Sequence, residues 1–156
     1  MQSFLLKSFV SQKQKYRLTV GIVLTFEDKI FCGLDPRHGN WSMPQGGVET
    51  GEGTNEAAAR ELFEETGIQA VKWLDSSDWY ILDLPDFVRN NERYKSISAQ
   101  KYKWFLASVE VKPQVKLNHE YVNYEWLEPE ELLKRSEGYF KGGMYRQILK
   151  EFGIAY

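Results

Sequence analysis

The sequence predicts an α+β fold in which a mixed sheet carries helices packed on it. Three observations lead there. Strand-like and helix-like segments follow one another without the strict alternation of a doubly wound parallel sheet. Hydrophobic residues fill 42% of the 156 positions and aromatic residues 15%, enough for a real core and too much for a disordered chain. No internal repeat, low-complexity tract or linker interrupts the chain, so residues 1–156 read as one domain, with 1–15 as an N-terminal extension.

Residues 17–26, "RLTVGIVLTF", are β-rich and mostly apolar, as a buried strand requires. "EDK" turns the chain into a second strand, "IFCGL", at 30–34. "DPRHGN" (35–40) is turn chemistry, and "WSMPQGGVE" (41–49) is a short extended lead-in. A helix follows, with Thr54 as its N-cap and Gly67 as its stop. Strands are expected at 70–81, 99–111 and 121–127. The polar segment 82–98 between two of them is long enough to suggest a functional loop. Helices are expected at 129–135, where Pro129 suits a helix start, and at 143–152.

Charge and cysteine usage exclude several functions. With 20 basic and 22 acidic residues, the net charge of −2 gives no general attraction to nucleic acid or anionic lipid. Any phosphate must be met by a local patch or by bound metal. The one cysteine, Cys32, excludes an intrachain disulfide and sits in an apolar run as a buried thiol. No apolar run is long enough to span a bilayer, and Lys7 breaks the short apolar start, which no small-residue cleavage site follows. A cytoplasmic location with no membrane partner is expected, and nothing implies an obligate protein partner.

The helix before Gly67 breaks the charge rules. At about 100° per residue, Glu61, Glu64 and Glu65 fall on one face, while Ala59, Leu62, Phe63 and Thr66 fall opposite and are expected in the core. Ala57 and Ala58 are expected to flank the acid face and leave it open. A solvated charged face is the ordinary alternative. Against it, these acids lie at the helix C-terminus, where the macrodipole costs about 0.3–1 kcal/mol each, and they repel one another at i, i+4. Residues 49–65 hold six glutamates against one arginine, Arg60. A divalent cation would reverse the penalty, and carboxylate oxygens suit Mg²⁺ or Mn²⁺. Arg60 can pair with Glu64 or reach back to Glu52 and fix the loop.

The stretch resembles the signature of the Nudix hydrolases: Gly46, Glu52, Arg60, Glu61, Leu62, Glu64, Glu65, Gly67 and Ile68 fill every fixed position. The resemblance implies the Nudix fold, an α/β/α sandwich with its mixed sheet between helices and a loop–helix–loop box. It also implies Mg²⁺ on Glu61, Glu64 and Glu65, and hydrolysis of nucleoside diphosphates linked to another moiety. The lead-in "WSMPQGG", the strand "YRLTVGIV" and the blocks "QKYKWFL" and "FKGGMYRQILKEF" are similar to the RNA pyrophosphohydrolases and asymmetric dinucleoside polyphosphate hydrolases of that family. On that resemblance Arg17, Arg37, Gly46, Gly47 and Lys141 are candidate substrate contacts and Phe140 a platform for a base. Glu120 is a candidate fourth metal ligand or general base; His119 beside it is expected in solvent, and Tyr145 in packing. Two positions depart from the subgroup: Asp35 stands where an arginine is common, with Arg37 near enough to substitute, and Leu82 stands where a tyrosine is found, two residues after Tyr80.

The reaction so implied is attack of water on a phosphoanhydride phosphorus. Glu61, Glu64, Glu120 and Arg60 form the catalytic set, and Glu61 or Glu120 accepts the proton. Removal of pyrophosphate from 5′-triphosphorylated RNA is the first expectation and asymmetric cleavage of dinucleoside polyphosphates the second. A non-catalytic Nudix-fold sensor is the third, disfavoured because every box acid is kept.

Overall fold

The computed structural model describes residues 15–156, so the extension expected at 1–15 lies, apart from Lys15, outside the described residues. Strand β1 (Tyr16–Phe26) is buried from Thr19 to Leu24, as its apolar run demands. A two-residue turn with Glu27 and Asp28 both at positive φ leads into β2 (Lys29–Asp35). Two short strands, β3 (Asn40–Ser42) and β4 (Gln45–Gly47), precede helix α1 (Thr54–Thr66). Long edge strand β5 (Lys72–Asp83) comes next, then a one-turn helix α2 (Asp86–Arg89) and a 3₁₀ turn (Glu92–Tyr94). Strands β6 (Ala99–Ser108) and β7 (Asn123–Leu127) and helices α3 (Pro129–Arg135) and α4 (Gly142–Glu151) complete the chain.

The sheet is mixed, in the order β3-β2-β1-β6-β5. β1 runs parallel to β6 from Tyr16↔Ala99 to Thr25↔Ser108. Its other edge is shared. β2 pairs only with its C-terminal end, at Thr25 and Phe26, and β4 pairs with Thr19, Val20 and Gly21. Beyond the turn, β2 leaves β1 and pairs with β7 and β3 instead.

Each face of the sheet has its own core. α3 and α4 cover Val23, Cys32, Met43, Tyr102 and Trp104 on one face. On the other, Ala57, Ala58 and Leu62 of α1 pack against Val20, Ile22, Leu24, Phe31 and Phe105. The expected helix–sheet–helix layering is therefore present. Gly21 permits it locally, because a Cβ there would lie 2.4 Å from the Trp104 ring. Cys32 is fully buried, and burial raises its thiol pKa far above the usual range. No helix among the described residues is long and apolar enough to cross a membrane.

Helix α1 corrects three expectations. Its N-cap is Gly53, in extended conformation, not Thr54, which is already helical. Its buried residues are Ala57, Ala58, Leu62, Glu65 and Thr66, while Ala59 is exposed and Phe63 is 47% exposed. The small alanines are thus the contact that seats the helix on the sheet, and do not border an open face. Seating it there rolls the helix so that Glu65 sits at the edge of the core. Segment 82–98 is partly ordered: β5 continues to Asp83, and the two short turns that follow fold it against the site described next.

Candidate active site

A cleft of about 420 Å³ opens at the N-terminal end of β1, where β4 rather than β2 borders the strand. Every candidate residue lines it: Glu61, Glu64 and Glu65 with Arg60 from α1, Arg17 from β1, Gly46 and Gly47 from β4, Arg37 and Glu120 from loops, and Phe140 and Lys141 ahead of α4.

The glycines make room for neighbours. A Cβ on Gly46 would fall 1.9 Å from the Glu61 carboxyl carbon, and one on Gly47 2.9 Å from an Arg17 nitrogen. So Glu61 lies directly on the β4 backbone, and Arg17 reaches past it.

Arg60 organises the acid wall. It grips Glu52 at 2.7 and 3.0 Å, donates to the Gly47 carbonyl at 2.8 Å, and reaches Glu61 at 2.8 Å and Glu64 at 3.3 Å. Both roles expected of it, pairing with Glu64 and holding the loop through Glu52, occur together. The Arg60 bonds hold the Glu52 carboxyl down to about 2. Glu61 and Glu65 behave oppositely. Burial raises both, repulsion from Glu64 adds to the first, and repulsion from Glu61 adds to the second. Glu65 is 4% exposed, and its Oε2 accepts from the Gln45 amide and the Tyr121 hydroxyl, each at 3.2 Å.

The opposite wall is cationic and aromatic. Lys141 is 6% exposed, and its ammonium lies 5.5–5.8 Å from the ring centres of Phe140, Tyr102 and Tyr139. It has no carboxylate within ion-pair distance among the described residues. Burial, then the Arg17 charge, push its pKa down to about 7. Arg17 donates to the Tyr94 hydroxyl at 3.1 Å and also lacks a carboxylate partner among the described residues. Phe140 is half-buried and meets Phe87 edge to face at 5.9 Å.

At the mouth, Arg37 bonds Asp35 at 3.0 and 3.1 Å and Glu120 at 2.9 Å. Burial pushes the Asp35 carboxyl up, but the Arg37 bonds outweigh it and hold it below its usual value. His119 is in solvent as expected, 3.3 Å from Glu120. Tyr145 is fully buried in packing. Tyr80 and Leu82 face away from the cleft: Tyr80 bonds Glu151 of α4, and Leu82 packs on the core.

Sequence reasoning missed Phe87, Tyr94 and Tyr121. The length of segment 82–98 was the one available signal for the first two; Tyr121 left none.

The acids share a cleft without forming a finished cage. No three His, Cys, Asp or Glu side chains among the described residues converge on one point. Arg60 and Arg37 hold three of the four acids, Glu61, Glu64 and Glu120. The donor set nevertheless fits a hard divalent cation. It is all oxygen, burial penalises the charged forms of Glu61 and Glu65 so that a bound cation would offset the cost, and Gln45 Oε1 is buried in the same wall with no hydrogen-bond partner among the described residues.

Residues 15–148 match the NUDIX domain. The chain belongs to the Nudix family. Among relatives, the RNA pyrophosphohydrolase of Bartonella clarridgeiae is 34% identical over 156 residues, covering 88% of this chain and 90% of that one. Among solved structures, the E. coli dihydroneopterin triphosphate pyrophosphohydrolase superposes with a TM-score of 0.73 at 19% identity, over 88% of this chain and 99% of that one. A C. elegans Ap4A hydrolase binary complex gives 0.65 at 22% identity, over 86% and 98%. These two share the fold. Nudix hydrolases generally require a divalent metal ion.

Proposed function

We propose that this Nudix hydrolase removes pyrophosphate from the 5′ end of triphosphorylated RNA. The observation that carries the reading is the meeting, in one cleft, of the full glutamate set with Arg17 and Lys141, cations that lack carboxylate partners among the described residues. An RNA pyrophosphohydrolase 34% identical over most of the chain supports it.

In this reading Glu61, Glu64, Glu65 and Glu120 hold Mg²⁺, with Mn²⁺ able to substitute. When bound, the ion supplies charge stabilisation at the phosphate oxygens and a water of lowered pKa. Arg17 and Lys141 receive the phosphate chain; for Lys141 an incoming anion is the partner its buried ammonium lacks. Arg60 keeps Glu61 and Glu64 oriented. Glu61, made more basic by burial, and Glu120 are the two groups suited to take the proton from water. Phe140 carries the base, with Phe87 at its side. A cytoplasmic location accords with this substrate.

Cleavage of dinucleoside polyphosphates is the second reading. Arg17 and Lys141 both lie within the cleft, so they serve a short dinucleotide as well as an RNA end. The test is product analysis with purified protein and Mg²⁺ on a short 5′-triphosphate RNA and on diadenosine tetraphosphate, at one salt concentration. RNA should release pyrophosphate, EDTA should abolish turnover, and excess Mg²⁺ or Mn²⁺ should restore it. A preference of more than about a hundredfold for the dinucleotide, roughly 2.7 kcal/mol, overturns the ranking. Full activity in EDTA overturns the metal-dependent chemistry.

A further inference from the structure

We propose that Tyr121 is a positioning residue for Glu65, holding that carboxylate with one oxygen turned free for cation capture. The inference rests on the metal-dependent reading above.

Glu65 Oε2 accepts two hydrogen bonds, from the Gln45 backbone N–H and the Tyr121 hydroxyl, both at 3.2 Å. No hydrogen bond reaches Oε1 among the described residues. A carboxylate fixed through one oxygen keeps the other in a single place, which is what a cation with strict geometry needs. The Tyr121 hydroxyl has one proton and three neighbours in reach, the Glu65 carboxylate, the Met43 carbonyl at 3.3 Å and the Ser42 hydroxyl. An ionised carboxylate is the strongest acceptor.

The ring cannot drift. Tyr121 is 5% exposed and sits flat against Gly33 of β2, where a Cβ would fall 2.3 Å from the ring. Gly33 is itself fixed on both edges, by Ser42 of β3 and Tyr124 of β7. Tyr121 thus carries a reference point from the β2–β3–β7 part of the sheet to an acid on α1. It also directly follows Glu120, so the same anchor restrains the loop bearing the fourth acid. The competing account is that the hydroxyl only satisfies the Met43 carbonyl. Removing it would then cost stability and leave cation affinity alone.

The test is direct Mn²⁺ binding without substrate, followed by the electron paramagnetic resonance of the free ion. Wild type, Tyr121→Phe, Glu65→Gln and the double variant are compared. Phenylalanine keeps the ring and its seat, so the melting temperature in EDTA should move by no more than about 4 °C. Mn²⁺ affinity of Tyr121→Phe should fall roughly tenfold, the lower end for losing a partner of a metal ligand. Added to Glu65→Gln, the change should cost nothing further. If Glu65→Gln weakens binding while Tyr121→Phe stays within about twofold of wild type, this inference alone fails. An additive loss in the double variant overturns it too. If wild type binds no Mn²⁺, the metal-dependent reading falls and takes this with it.

Discussion

Arg37 donates to Glu120 at 2.9 Å across the mouth of the cleft, joining residues 83 positions apart. Arg37 is 57% exposed, so the pair contributes about 0–1 kcal/mol. A phosphate chain entering the cleft would compete with it for the same guanidinium. Arg37→Gln should therefore change the melting temperature by less than about 4 °C. It should raise the KM for a triphosphate substrate several-fold, and the increase should shrink as salt rises. Kinetics at two ionic strengths check this; an unchanged KM at low salt removes Arg37 from substrate contact.

Glu64→Gln and Glu65→Gln should each lower turnover by about a hundredfold or more, roughly 2.7 kcal/mol of transition-state stabilisation. The fold should survive, because each change removes repulsion along with a proposed ligand. Circular dichroism and turnover on the same preparations decide it. Near-parental turnover in either variant would sink the assignment.

Glu65 also sets a pH dependence of stability. Burial, then repulsion from Glu61, raises its folded pKa well above the usual carboxylate range. For an acid shifted upward, folding stability is fully present below the unfolded pKa and is lost as pH rises through the folded one. In EDTA, wild type and Glu65→Gln should therefore melt alike near pH 4, and the variant should become the more stable as pH rises. Paired melting curves across that range measure the effect. A gap that narrows with rising pH reverses the sign and refutes it.

Lys141 gives a kinetic signature. In the free enzyme its pKa lies at about 7, so its charge is lost as pH rises through neutrality. Log kcat/KM should show a falling limb there, and Lys141→Arg should flatten it. The pH profile of kcat should keep rising into the alkaline range, since a bound phosphate would hold the lysine protonated while a divalent ion on the acid wall would supply water of lowered pKa. Identical kcat/KM profiles for both proteins would exclude this lysine.

For the aromatic wall, Phe140→Ala should raise KM by losing stacking worth about 1–3 kcal/mol per base. Phe87, 61% exposed, contributes little to the core, and Phe87→Ala should raise KM less with no thermal cost. Steady-state kinetics on a nucleotide substrate, beside melting curves, separate these from packing defects.

The box was legible because its logic is local. Arg60, Glu61, Glu64 and Glu65 occupy one short helix, and the clash of three acids with a helix C-terminus shows in the letters alone. The sheet was legible where strands are buried on both faces, as in β1. The roll of α1 was not. A helical wheel scores Phe63 as core and Glu65 as surface, and it cannot see that two alanines decide how the helix seats. Contacts between distant segments were also invisible: Tyr121 meets Glu65 across 56 positions, and the rings around Lys141 come from β6 and the turn before α4.

Gly46 lies so close to Glu61 that no side chain fits between them, and this makes the two sides of the cleft unequal in the substitutions they tolerate. The side built on β4 and α1 is frozen: a residue added at position 46 displaces an acid, and a register slip of β4 against β1 moves Arg17 relative to all of them. The facing segment between β5 and β6 bears none of those acids, and Phe87 there stands largely in solvent. Substitutions in that segment would therefore reshape the cleft while leaving the acids where they stand.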